Sequence, residues 1–172
     1  MSEATAGPVS SADLVEQALL QFEKPLVGYA MTIVHNLETA RDVVQDTFLR
    51  LHEQNPATVR ESLKAWLFTV CRNRALDVLR KQKREAAVEP DFLQSVPDDC
   101  ADPAEAAERQ ETHARVLELL DRLSPNQREV IRLRFQNGLS YREISEVTSL
   151  SVSNVGFLMH TGLKRLRTFL SS

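Results

Sequence analysis

The stretch Leu139–Leu170, LSYREISEVTSLSVSNVGFLMHTGLKRLRTFL, limits the possible folds more than any other part of the chain. Ser140 with Glu143 three residues later is a capping box, which predicts a helix starting at Tyr141. Tyr141, Ile144, Val147 and Thr148 keep the helical apolar spacing. Thr148 and Ser149 break it, and Ser151 is an N-cap for a second helix beginning at Val152. On that helix Val152, Val155, Met159, Gly162, Leu163, Leu166 and Leu170 share one face, and Ser153, Asn154, Phe157, His160, Thr161 and Lys164 share the other. A merely solvated face more often carries Glu and Lys. Hydroxyls, an amide, a ring, an imidazole and a cation suit base edges and phosphates in a major groove. The stretch therefore reads as a helix-turn-helix with Val152–Leu170 as its recognition helix. On this stretch alone, a plain helical hairpin with a wet outer face stays open.

No strand pattern appears upstream, so the expected class is all-α: two small helical domains joined by a flexible acidic linker, the C-terminal one a helix-turn-helix. Residues 1–10 read as a disordered tail. Ala12–Val34 is helical in pattern, with Pro25 at the first turn of a second helix and Asn36 as a helix end. Leu37–Leu51 carries a buried stripe of Ala40, Val43, Val44, Phe48 and Leu51. This leaves Asp42, Gln45, Asp46, Leu49 and Arg50 on other faces. Those faces are either solvated, with one stray leucine, or a docking surface for a large protein. His52–Glu61 reads as a loop with a turn at Asn55-Pro56. Ser62 is placed to cap Leu63–Arg84, a helix apolar nearly all round in its first half and therefore expected to be central and mostly buried. Glu85–Asp102 has three prolines at or just beyond it and no period, so the domain boundary is placed here. Asp102-Pro103-Ala104-Glu105 and Ser124-Pro125-Asn126-Gln127 are two further helix starts. The helix after the second carries Val130, Ile131, Leu133 and Phe135, and Asn137-Gly138 ends it.

The net charge of −3 conceals an alternation. Residues 62–84 carry +6 and residues 113–172 carry +4, each preceded by an acidic segment. Two basic segments suggest two nucleic-acid contacts on one chain. Cations near a helix C-terminus are favoured by its dipole, which accounts for Arg80, Lys81, Lys83 and Arg84 without DNA. Arg72 and Arg74 lie mid-helix and escape that explanation. No apolar run approaches the roughly 20 residues of a membrane span, so no membrane insertion is expected. The first residues lack the pattern of a secretory signal. Cys71 and Cys100 are far apart without metal spacing, and a reducing cytoplasm is the default. His35, His52, His113 and His160 form no metal spacing either. With no glycine-rich phosphate loop or nucleophile motif, neither cofactor nor catalysis is expected.

Four stretches in order, Asp42–Leu51 (DVVQDTFLRL), Ala65–Arg80 (AWLFTVCRNRALDVLR), Leu123–Phe135 (LSPNQREVIRLRF) and Leu139–Arg167, resemble the extracytoplasmic-function sigma factors, small members of the sigma-70 family of bacterial transcription initiation factors. The resemblance implies region 2 over 11–86, which binds core RNA polymerase and the −10 element, a linker over 87–101, and region 4 over 102–172, which binds the −35 element. It implies that Asp42, Val43, Gln45, Asp46, Phe48 and Leu49 belong to the polymerase contact. It also implies that the loop His52–Glu61 reads a flipped base, with Arg72, Asn73, Asp77 and Arg80 near the −10 strand.

Physical chemistry supports that division of labour. Unstacking bases costs a few kcal/mol each. A protein without ATP chemistry offsets this only by holding the opened strand, through base pockets and backbone cations. Asn55 and Thr58 suit base edges, and Arg60, Arg72, Arg74, Arg80 and Lys83 suit phosphates. Asn73 and Asp77 alternatively pair within their helix. Trp66 reads as core, because Leu63, Leu67 and Val70 share its side. In the recognition helix Ser151, Ser153, Asn154, Phe157, His160 and Thr161 are nearest bases, and Lys164 and Arg165 nearest phosphates; Phe157 suits a thymine methyl or a sugar. As a coil the linker spans about 23 Å, and extended at most about 60 Å. Elements two helical turns apart are separated by about 70 Å, so the linker is expected to be stretched when both are bound. Expected partners are core polymerase, double-stranded −35 and opened −10 DNA, and an anti-sigma protein. A stand-alone helix-turn-helix regulator explains the C-terminal hairpin equally well but not the basic helix 62–84.

Overall fold

The computed structural model describes residues 10–86 and 103–171. Residues 1–9 of the expected tail 1–10, the linker 87–101, Cys100 and the Asp102 cap lie outside the described residues. Among the described residues there are eight α-helices, one 3-10 turn and no strand. The chain divides into two compact units, residues 1–96 and 97–172.

In the first unit α1 (Ser11–Val34), α2 (Leu37–His52) and α4 (Leu63–Glu85) pack on one another, with α3 (Pro56–Val59) and the 3-10 turn Arg60–Ser62 between the last two. Leu26, Tyr29, Val43, Leu51, Leu67 and Phe68 form the centre of the core, and the Tyr29 and Phe68 rings meet at 5.4 Å. α1 starts on a capping box, Ser10 with Asp13, so Ser10 is a cap and not part of the tail. Pro25 does not begin a new helix: α1 runs through it. Proline removes the bond to the carbonyl four residues back, here that of Gln21. Gln21 and Pro25 are both exposed, while Phe22, Leu26 and Tyr29 pack on the opposite side and hold the helix together. Asn36 does not end α1 either. His35 does, in the left-handed conformation (φ 55°), and the Asn36 side chain caps α2 by accepting from the Thr39 N–H at 2.9 Å.

The expected loop His52–Glu61 is mostly helical. α2 extends to His52, and Asn55 caps α3 with Pro56 at its first position. Ser62 makes no side-chain cap, because the 3-10 turn feeds α4 directly. α4 is less buried than its composition predicts. Ala65, Leu67, Phe68, Cys71 and Ala75 are buried, whereas Leu63, Trp66, Val70, Leu76 and Leu79 are half-buried. Two helices can cover only one broad side of a third.

Gly28 lies inside α1, exposed, with nothing within 4 Å of a Cβ added there. Gly28→Ala is expected to stabilise this unit by about 1 kcal/mol, raising its thermal midpoint by about 4–8 °C. The single tryptophan, Trp66, reports that transition by fluorescence; an unchanged midpoint would contradict this account.

In the second unit α6 (Pro125–Phe135) and α7 (Tyr141–Thr148) pack on α8 (Val152–Leu170), and α5 (Pro103–Asp121) touches α8. The capping boxes at Ser124 and Ser140 and the Ser151 cap form as the spacing predicts. α6 ends at Gly138 (φ 66°), whose N–H bonds the Arg134 carbonyl while that of Leu139 bonds the Leu133 carbonyl. Phe135 is exposed, as are Val152 and Leu170, which the spacing places on the apolar face of α8. Phe135 and Leu170 end their helices, where one side has no neighbouring helix to cover it.

Candidate nucleic-acid and polymerase interfaces

In the second unit, side chains fix the turn between α7 and α8. Ser149 takes the left-handed conformation (φ 61°). The Ser145 hydroxyl donates to the Leu150 carbonyl at 2.6 Å, and the Thr148 hydroxyl donates to the Ile144 carbonyl at 2.7 Å. Ile144, Val147, Val155 and Met159 are buried beneath it. Arg134 is held over the Tyr141 ring and donates to the Leu139 carbonyl.

The seam between α6 and α8 sets how α8 is rotated. A Cβ at Gly162 would lie 2.8 Å from Ile131 Cδ1, so glycine permits the close approach. Beside it Gln127 is buried. Its Nε2 donates to Thr161 Oγ1 at 3.0 Å, and its Oε1 accepts from Ser124 N at 3.2 Å and from Arg165 Nη1 at 3.4 Å. Gln127 is a residue that sequence reasoning missed as a positioning group; its place in a capping box was the only signal.

The seam divides the expected DNA-facing residues. Thr161 leaves the outer face: it is half-buried and bound to Gln127 and to the Phe157 carbonyl. The Ser151 hydroxyl accepts from the Asn154 N–H, so it serves the helix end. Ser153, Asn154, Phe157, His160, Lys164 and Arg165 are exposed, Phe157 to 64%. The structure brings the first five onto the outer surface, while Arg165 leans toward α6, where its Nη1 donates to Gln127.

Arg128 and Arg132 serve the fold. Arg128 closes the end of α5 by donating to the Leu120 and Asp121 carbonyls and pairing with the Asp121 carboxylate at 3.2 Å. Arg132 Nε is buried without a partner among the described residues. Burial, and next the neighbouring Arg128, push its guanidinium below the usual arginine range, against Asp121.

In the first unit the face of α2 is narrower than expected. Val43 and Phe48 are buried, Phe48 lining the groove that Gln45 and Leu49 border. Asp42, Gln45 and Leu49 are exposed, Leu49 to 59%. Asp46 is engaged with α4, its Oδ2 accepting from Arg74 Nε at 2.8 Å. Gln45 and Leu49 border a groove of about 1040 Å³ between α1 and α2, with Leu19, Leu20, Val27 and Arg41 on its walls. Leu20 is 86% exposed. An apolar residue out of phase with its helix's buried stripe was the signal for it.

The expected −10 residues spread along α4. Asn55 Oδ1 accepts from the Ala57 N–H at 3.0 Å, and the Thr58 hydroxyl donates to the Asn55 carbonyl at 2.7 Å, so both shape α3. Arg60 is exposed in the 3-10 turn. Asn73, Asp77, Arg80 and Arg84 form one exposed stripe of α4, with Lys83 beside it and Arg72 half-buried. Arg80 pairs with Asp77 at 3.2 Å, as the intrahelical alternative anticipated. Eighteen residues of helix separate Ser62 from Arg80, about 27 Å. The α3 end and the cationic end therefore form two ends of a track, not one pocket.

Cys71 is buried, with its thiol directed at the Leu26 carbonyl; burial pushes it up to about 12, which leaves it inert. Among the described residues no cluster of His, Cys, Asp or Glu could hold a metal ion, and no helix is long and apolar enough to cross a membrane.

Residues 10–85 match the family described as sigma-70 region 2, and residues 113–166 match sigma-70, region 4. The chain is 34% identical over 134 residues to the ECF RNA polymerase sigma factor RpoE of Cereibacter sphaeroides, covering 78% of this chain and 71% of that protein. It is 30% identical over 151 residues to ECF RNA polymerase sigma factor SigX of Bacillus subtilis, covering 85% and 78%. Among solved structures it resembles the sigma factor RpoE of Bartonella quintana in complex with the anti-sigma factor NepR (TM-score 0.62, 26% identity, 91% and 96% covered). It also resembles CnrH in complex with the cytosolic domain of CnrY (TM-score 0.61, 27% identity, 91% and 87% covered). With both regions matched in order on two helical units, the chain belongs to the ECF group of the sigma-70 family of RNA polymerase sigma factors.

Proposed function

We propose that the outer face of α2 (Asp42, Gln45, Leu49) docks on core RNA polymerase, that α8 reads the double-stranded −35 element, and that the track from α3 to the cationic end of α4 captures the opened −10 strand. Region 2 is assigned to 11–86, the linker to 87–101 and region 4 to 102–172. The observation that carries this reading is the pairing on one chain of a helix-turn-helix with a second helical unit that has its own cationic stripe. A stand-alone regulator would need only the first. Phosphate contacts fix register on the duplex and base contacts specify sequence, and the exposed surface of α8 carries both kinds of group. The chain acts in the cytoplasm with the polymerase. An anti-sigma protein restrains it, a reading supported by the likeness to RpoE, solved with NepR. The protein catalyses no reaction itself.

The test is transcription in vitro with core polymerase on a promoter library, read by sequencing. The expected result is RNA from templates sharing two elements about two helical turns apart. DNA binding by the protein alone, without transcripts when polymerase is added, would favour the stand-alone regulator.

A further inference from the structure

The outer surface of α8 is unusual in charge. None of the residues 147–163 is Lys, Arg, Asp or Glu. The first cation of the recognition helix is Lys164, twelve residues past Val152, about 18 Å along the axis. In a helix-turn-helix the N-terminal turns of the recognition helix reach the base edges. The commonest specific contact to guanine is a bidentate Arg or Lys, and those turns hold neither. The nearby cations are committed elsewhere. Arg134 is pinned over Tyr141 and to the Leu139 carbonyl, and Arg165 is tied to Gln127 on the α6 side. Arg142 lies exposed on α7, the helix that crosses the backbone in such motifs.

In place of cations the base-reaching turns present small polar groups around one exposed ring. Ser153, Phe157, His160 and Lys164 recur at helical spacing along one exposed arc, with Phe157 near its centre. Val152 flanks it, 49% exposed. Asn154, also exposed, is the type of side chain that bonds adenine N6 and N7 in pairs. Apolar side chains read the thymine methyl, the one hydrocarbon group in the major groove.

We infer that α8 reads an A·T-rich upstream element, through thymine methyls at Phe157 and an adenine at Asn154, with no bidentate Arg or Lys contact to guanine from its first three turns. This rests on the assignment of α8 to the −35 element and narrows it to a base class.

The test uses the holoenzyme formed with core polymerase. A library randomised upstream is first selected for binding; the selected element is then rebuilt with deoxyuridine for each thymidine, which removes only the methyl. The expected result is an A·T-rich element. Affinity should fall about fourfold for each contacted methyl lost. Phe157→Ala should bind the thymidine element more weakly and no longer distinguish it from the deoxyuridine one. Phe157 is exposed, so the variant should fold; Trp66-independent far-UV circular dichroism checks that. A G·C-rich element, an indifferent wild type, or a variant that keeps the full methyl effect would each overturn the inference while leaving the −35 assignment standing. Selection of a downstream element with no upstream one would overturn both.

Discussion

Phe68→Ala is expected to lower the stability of the N-terminal unit by about 3–5 kcal/mol. Phe68 has no exposed surface and its ring packs on Tyr29 at the centre of the unit. Small domains are stable by only about 5–15 kcal/mol, so this one truncation removes a large share of the margin. It should lower the thermal midpoint by about 15–30 °C. Trp66 lies two residues away on the same helix and, as the single tryptophan, follows the transition without interference. Denaturant titrations of wild type and variant give the difference directly. A loss under about 1 kcal/mol would mean that the site collapses around the missing ring.

The second large effect concerns association and should leave stability alone. Leu49→Ala is expected to weaken binding to core polymerase about tenfold or more, the range of an interface anchor. Leu49 is well exposed and touches the groove between α1 and α2, and alanine is the better helix former. Trp66-detected unfolding should therefore stay within about 0.5 kcal/mol of wild type. Titration of labelled core polymerase separates the outcomes: equal affinities would remove Leu49 from the contact. Parallel losses of affinity and stability would make it a structural residue.

Sequence signals that act within a few residues were the most legible. The boxes at Ser124 and Ser140, the Ser151 cap and the Gly138 stop are each complete within one or two turns, and all form. The buried stripe of α2 was readable because three and four residue spacing alone determines which side faces inward. Errors arose where a distant partner decides. Pro25 reads as a break, yet α1 continues because α2 and α4 hold its other side. Thr161 reads as outward, yet Gln127, 34 residues earlier, turns it inward. The Asp46–Arg74 pair joins residues 28 apart, which no local spacing signals. Val43 and Phe48, by contrast, are buried as their spacing in α2 predicts, and Phe48 also lines the groove beside Leu49.

The seam of Gly162, Ile131 and Gln127 has a consequence for how such a protein changes over generations. It anchors α8 entirely from the inner side, while Ser153, Asn154, Phe157 and His160 remain exposed outside. Exchanges at exposed positions usually alter stability by no more than about 0.5 kcal/mol. New side chains can therefore be tried on this exposed surface one at a time, with the unit folded at every step. Under the role proposed for α8, drift in promoter preference costs it little, whereas a side chain at Gly162 must first displace Ile131. Divergence among descendants of this chain should accumulate on the outer arc of α8 and spare the seam behind it.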